Sequence, residues 1–317
     1  MKKCYFPLLI LLLLPAAGYA FQGELAEKDS VDLIIGLTVL DIIDVDDTEE
    51  TITLEFLFSM QWPSDSLKGR EIPYSEDRVP RIEMQYMTDI QSFFEKRIRI
   101  DESGIARFNQ RIIGTLRHQF DFTRFPFDVQ RWKMAFFHIG DQSYRLIPDT
   151  VFMGLHEDFI DPPTWQTRFE GVGNTKLRGP GPDLKALSYH FRLRRNSVYY
   201  LWKVLVPVGL IVLMSWGVFW IRPEEISAQL TVSVTAILTL VAFQFSVSQL
   251  VPPLSYLTLL DKFSIGADFL VFLAFLESLV SSFQAQAGRH QLSARIDRIS
   301  RWVFPAAFIL FILVLFV

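Results

Sequence analysis

Along the apolar run SAQLTVSVTAILTLVAFQFSVSQ, residues 227–249, the small or polar side chains Ser227, Thr231, Thr235, Thr239, Ala242, Ser246 and Gln249 recur at steps of four or three. On a helix that spacing lays them in one stripe. Oxygens arrayed in this way can hydrogen-bond water or replace part of an ion's hydration shell, chemistry that needs neither nucleophile nor acid. Reactive constellations are not found elsewhere. The histidines, His118, His138, His156, His190 and His290, lack metal-ligand spacing, and there is no nucleophile elbow, phosphate loop or dinucleotide fingerprint. The one cysteine, Cys4, lies in the leader-like N-terminus. No enzyme activity, metal or cofactor is expected.

The striped run is long enough to cross a bilayer, which takes roughly 20 helical residues. A lipid-facing helix gains nothing from a polar stripe, so two readings compete. One is tight helix packing through small residues. The other is a helix lining water, repeated around an axis because one helix cannot enclose a channel. The layering favours the second: Thr231 and Thr235 lie toward one end, and Leu238, Ala242 and Phe245 toward the other. Polar rings followed by apolar rings suit conduction with gating by dewetting.

The elements that must position this helix follow from the rest of the chain. Its 317 residues are half hydrophobic and carry a net charge of -4, which argues against nucleic-acid binding. Residues 1–20 combine Lys2 and Lys3, the apolar run 8–14 and a small-residue end at Ala20, and read as a secretory signal peptide. From 30 to 195 the pattern is β, with alternation at 31–40 and 51–60 and turn signals at 101–104 and 178–182. This predicts an extracellular β-sandwich of about ten strands over 21–196. Residues 197–317 then form a transmembrane domain, with helices at about 199–220, 227–249, 259–284 and 299–317. With the sandwich outside, the third connection is cytoplasmic, and Arg289, Arg295, Arg298 and Arg301 there fit the positive-inside tendency.

The run Asp121-Phe122-Thr123-Arg124-Phe125-Pro126-Phe127-Asp128-Val129-Gln130 resembles the signature loop of pentameric ligand-gated ion channels, the Cys-loop receptor superfamily. The runs 196–202, 215–220 and 251–256 resemble further landmarks of that family in the same order. The cysteines that flank the loop in animal members are missing near Gln119 and Trp132, which points to the bacterial branch and to an inner-membrane protein with a periplasmic or extracellular N-terminal domain. The resemblance implies a homopentamer in the lipid bilayer, opened by a small-molecule agonist or protons, with small cations passing through a pore lined by the second helix. Thr231, Thr235, Leu238, Ala242, Phe245 and Gln249 would face that pore. A register taken from Trp220 instead of Pro252 would slip it by about two residues. Glu224 and Glu225 would form acidic rings that select cations, or are simply solvated carboxylates at a helix N-terminus.

The resemblance also implies a carboxylate-arginine cluster where the two domains meet, with Asp47 and Asp128 as partners of Arg195 and Glu50 close by. Phe125 and Pro126 would press on the loop at Pro252 and Pro253. The positions equivalent to an agonist site include Tyr86, Phe136 and His138 on one set of loops, Arg97 and Asn109 on an inner strand, and 178–185 as a flap, a set that could hold an amine by cation-π contact. Each of these aromatics alone suits a sandwich core equally well. The rival to a channel is a membrane-anchored sensor or binding protein that never conducts.

Overall fold

A computed structural model of the chain describes residues 30–316 apart from 65–67, 76–77, 94, 141–142 and 179–182. The expected leader at 1–20 and the tip of the 178–185 flap lie outside the described residues. Eleven strands come first: β1 (Val31–Asp46), β2 (Thr51–Pro63), β3 (Arg70–Pro73), β4 (Ile82–Met84), β5 (Met87–Ser92), β6 (Arg97–Ile100), β7 (Ile105–Arg117), β8 (Val129–His138), β9 (Tyr144–Leu155), β10 (Trp165–Leu177) and β11 (Leu184–Arg195). They form a seven-stranded sheet in the order β3-β6-β7-β2-β1-β9, with β5 also on β7, and a four-stranded sheet in the order β10-β11-β8-β4. The β1/β9 pair is parallel.

Alternation builds the core. Leu33, Ile35, Leu37 and Val39 from β1, Ile52, Leu54, Phe56 and Phe58 from β2, and Trp132, Met134 and Phe136 from β8 all point between the sheets and are buried. Each such side chain contributes roughly 1.5–3 kcal/mol of burial. The strands run longer than the alternation alone indicates. β9 continues past Ile147 to Leu155 beside β1, through a register shift near Ile35 and Leu37 that interrupts the simple pattern.

Among the described residues, four helices long and apolar enough to cross a membrane follow: α1 (Val198–Trp220), α2 (Ile226–Val247), α3 (Leu259–Gln286) and α4 (His290–Phe316). A π-helical turn at Leu201–Leu205 sits just before Pro207, whose ring nitrogen has no hydrogen to give the preceding turn. Thr258 caps α3: its hydroxyl accepts from the Asp261 amide at 3.0 Å, while the Asp261 carboxylate accepts from the Thr258 amide at 2.9 Å. α4 starts at His290 rather than near 299, so Arg295, Arg298 and Arg301 lie on helix and not in a loop. The basic segment stays helical because Ser293 and Asp297, one turn apart, bury themselves against α3, where Ser281 bonds to both. The connection between α3 and α4 turns at Gly288, with φ of 78°.

Candidate functional site

Arg195 ends β11 and carries the junction between the two domains. Its side chain is 1% exposed. Nε donates to Asp128 Oδ1 at 2.7 Å, and Nη1 and Nη2 donate to the two Asp47 oxygens at 2.6 and 2.8 Å. The Asp128 carboxylate also accepts from Gln130 Nε2 at 2.6 Å. Aromatic rings enclose the guanidinium, with its carbon 4.0 Å from the centre of Trp165, 4.8 Å from Phe125 and 5.7 Å from Tyr200. Burial alone would weaken the guanidinium's hold on its proton, but hydrogen bonds to two carboxylates outweigh it and keep the pKa above the ordinary value. Burial raises the Asp47 carboxyl above its usual range, the hydrogen bonds to Arg195 pull it back, and the neighbouring Asp128 charge adds to the rise. One guanidinium therefore serves two carboxylates.

Three elements converge here because each ends at the membrane-facing edge of the sandwich: the β1–β2 turn with Asp47, the loop before β8 with Asp128, and the last residue of β11. Glu50 takes another part. It closes the β1–β2 turn at a φ of 54°, its backbone oxygen accepts from the His118 amide at 3.0 Å, and its carboxylate accepts from the Phe120 amide at 3.3 Å.

The signature loop is tied to the helices through the start of α3. The first amides of a helix have no partner within it. In α3 the Leu259 amide donates to the Thr123 carbonyl at 3.1 Å, and the Leu260 amide donates to the Phe125 carbonyl at 3.2 Å. The Phe122 amide donates to the Tyr256 hydroxyl at 3.1 Å, and Ser197 Oγ donates to the Pro126 carbonyl at 2.8 Å. Phe125 is fully buried edge-on against Tyr200. These bonds reach Tyr256, Leu259 and Leu260, further along the chain than Pro252 and Pro253, where contact was expected. Sequence reasoning had Gln130, Tyr200 and Tyr256 only as members of motif runs, without a role of their own, and passed over Trp165. The Thr258-x-x-Asp261 capping box was the available signal for a helix start beside the loop.

On α2 two faces separate cleanly. Gln229, Ser233, Ala236 and Leu240 are buried against the other helices, and Gln229 donates to the Ile221 carbonyl at 3.2 Å and accepts from Ser282 Oγ at 2.5 Å. Thr231, Thr235, Leu238, Ala242, Phe245 and Gln249 are all exposed, with Leu238 at 64% and Phe245 at 71%. These two sets lie on opposite sides of the helix. Thr231 Oγ1 gives its hydrogen to the Ser227 carbonyl at 2.7 Å, and Thr239 Oγ1 does the same with Thr235. Their oxygens are left to accept from water. At the start of α2, His290 Nδ1 lies 3.2 Å from the Glu224 carboxylate, so Glu224 engages the first turn of α4, while Glu225 stands exposed at the N-cap of α2.

The residues expected to recognise an agonist do not form one set. Phe136 is a correction: the alternation of β8 turns it inward, where it is fully buried, stacked 5.4 Å from Phe58 and edge-on to Tyr189. It cannot touch a ligand outside the sandwich. Tyr86 is 65% exposed at a turn with φ of 61°. His138 sits with Nδ1 2.9 Å from the Arg81 carbonyl and its ring edge-on to Tyr144. Arg97 pairs with Glu95 at 2.7 Å, a bond that raises its pKa, and Asn109 lies on the exposed face of β7 opposite Ser59.

Residues 204–283, most of α1, all of α2 and most of α3, match the family model for the neurotransmitter-gated ion-channel transmembrane region. Over 293 residues the chain is 24% identical to a gamma-aminobutyric acid receptor subunit beta-4 of Gallus gallus, an alignment covering 86% of this chain and 59% of that protein. It is also 24% identical over 267 residues to a gamma-aminobutyric acid receptor subunit beta of Caenorhabditis elegans, covering 78% and 48%. A gamma-aminobutyric acid receptor subunit beta of Lymnaea stagnalis is 26% identical over 208 residues, covering 63% and 41%. The chain thus spans about half the length of the curated relatives it matches. Across 204–283 the chain is thus similar to the neurotransmitter-gated ion-channel transmembrane region, and that match sits in a β-sandwich followed by four helices long and apolar enough to cross a membrane.

Proposed function

We propose that the chain is one subunit of a homopentameric, ligand- or proton-gated cation channel, in which the β domain drives opening of a pore lined by α2. The observation that carries this reading is the division of α2. Its bundle-facing side is buried within one subunit, whereas Thr231, Thr235, Leu238, Ala242, Phe245 and Gln249 stand exposed in that subunit. Five copies around an axis would turn this face into rings of hydroxyl oxygen below rings of hydrocarbon. The alternative register, slipped by two residues, would put Gln229, Ser233, Ala236 and Leu240 in the pore, and these are spent on packing.

Selectivity for cations rests on Glu225 at the entrance, with Glu224 drawn toward His290, and on the Thr231 hydroxyl oxygen, whose hydrogen is already donated. The stimulus acts on the junction, because a ligand or proton shifts the balance only if it binds the two states differently. A membrane-anchored sensor would share the β domain and spans but would leave the uncovered α2 face without a purpose. The leader at 1–20, the domain boundary near 196 and a place in a bacterial inner membrane belong to the same reading.

The test is current recording from full-length protein in planar bilayers under a potassium chloride gradient, scanned over pH and candidate amines. A reversal potential on the potassium side supports the proposal. A reversal potential on the chloride side overturns cation selectivity, and silence under every condition favours the sensor.

A further inference from the structure

His118 follows the last residue of β7 and is tied to the β1–β2 turn, since its backbone amide donates to the Glu50 carbonyl at 3.0 Å. Its ring meets Phe120 edge-on, with centres 5.0 Å apart and planes at 82°. Phe120 is 3% exposed and leads on in two directions. One runs to Trp165 at 6.4 Å, whose ring lies 4.0 Å from the Arg195 guanidinium. The other runs through Phe122 at 5.7 Å and Phe125 a further 6.1 Å on, and reaches Tyr200 along the signature loop. An imidazole thus begins the row of buried rings that encloses Arg195.

Of the groups in this row, only His118 has an ordinary titration near neutral pH. Burial lowers its pKa. Tyr86, Arg117, Arg131, Lys133, Glu170 and His190 line a cleft of about 320 Å³ together with it. Three of these are cationic, and the Glu170 carboxylate is held at 2.6 Å by Arg192 Nε. From the β1–β2 turn, the Glu50 carboxylate accepts from the Phe120 amide at 3.3 Å. Among the described residues neither carboxylate makes an ion pair with His118. A charged ring held against Phe120 would therefore lose water without gaining a partner, and the cleft gives it room to leave.

We propose that His118 is a proton sensor for the domain junction: an added proton drives its ring off Phe120 and loosens the row of rings that covers Arg195. The link from this loosening to opening rests on the channel reading, because a proton shifts the balance only by binding the two states differently. The loosening itself does not depend on conduction.

Hydrogen exchange of the backbone amides of 118–125, measured in full-length protein in detergent at pH 7.5 and 5.5 and corrected for the intrinsic chemical rate, tests this directly. The folded arrangement is favoured above the ordinary histidine value of about 6.5, and that advantage is lost as pH falls through it toward the lowered one. Exchange should therefore speed up at pH 5.5 by up to about tenfold relative to His118→Phe, which keeps a ring beside Phe120 but takes no proton. The thermal midpoint of the natural protein should fall between the two pH values by more than that of the variant. His118→Asn, also unable to titrate, should behave as His118→Phe does. An equal pH response in the natural protein and both variants would overturn the proposal, as would a response kept in His118→Phe and lost in Glu50→Gln. A silent protein that still shows the exchange difference would count against the channel and support the sensor, whereas a conducting protein without that difference would sink the sensor alone.

Discussion

At the scale of single residues, Arg195 is the position on which most depends. Its guanidinium is removed from water and satisfied by Asp47 and Asp128, so removing it strands two carboxylates beneath aromatic rings. Arg195→Gln should cost about 3–5 kcal/mol, read as a fall in the thermal midpoint of the purified protein. Arg195→Lys should recover only part, because an ammonium cannot reproduce the two-pronged contact. Asp47 gives a pH prediction. Its folded pKa is raised by burial, so the folded state holds this proton longer than the unfolded chain does. Stability from this group is present below the ordinary aspartate value of about 3.9 and is lost as pH rises through the raised one. Across that window, just above the ordinary value, the thermal midpoint of the natural protein should drop relative to Asp47→Asn, and parallel curves would refute the shift. The cluster was legible through the family resemblance, which brings together the turn, the signature loop and the strand end that carry Asp47, Asp128 and Arg195. Phe136 was misread although the alternation of β8, with Arg131 and Lys133 outward and Trp132 and Met134 inward, already carried the signal that turns it into the core.

At the scale of elements, the sandwich and the four spans could be read directly, since period-two alternation and long apolar runs are local signals. What could not be read was where one element takes hold of another. The hold of the signature loop on α3 is made by backbone groups, the Thr123 and Phe125 carbonyls and the Leu259 and Leu260 amides, which any sequence possesses. The early start of α4 was hidden by its arginines, which suit a cytoplasmic loop as well as a helix end. For α2 the stripe was visible, but which of its faces packs against the other helices was not, until Gln229 and Leu240 were found inside the bundle. The two faces separate two kinds of defect. Leu238→Ser should wet the constriction and raise spontaneous opening about tenfold, equivalent to about 1.4 kcal/mol. Leu240→Ser should instead cost about 2–5 kcal/mol of stability by opening a hole in the bundle, seen as lost expression or a lower thermal midpoint. Increased opening from Leu240→Ser with none from Leu238→Ser would shift the register.

At the scale of the whole molecule, the proposed function has its mechanical path along bonded contacts, from the β1–β2 turn through Arg195 and the signature loop into the first turn of α3, and from there to α2. Both Gln229 with Ser282 and Gln244 with Asp268 bind α2 to α3, near its two ends. A tilt of α3 would therefore carry α2 with it. The central claim is that one face of α2 lines a water-filled pore, and the chain is well suited to testing it because Cys4 is its only cysteine. Single cysteines at Thr231, Leu238 and Leu240, in protein lacking Cys4, should be treated with a charged, membrane-impermeant thiol reagent during current recording. Modification at Thr231→Cys and Leu238→Cys should block current in the open state, while Leu240→Cys remains untouched. Block at Leu240→Cys with no effect at Thr231→Cys and Leu238→Cys would contradict the account.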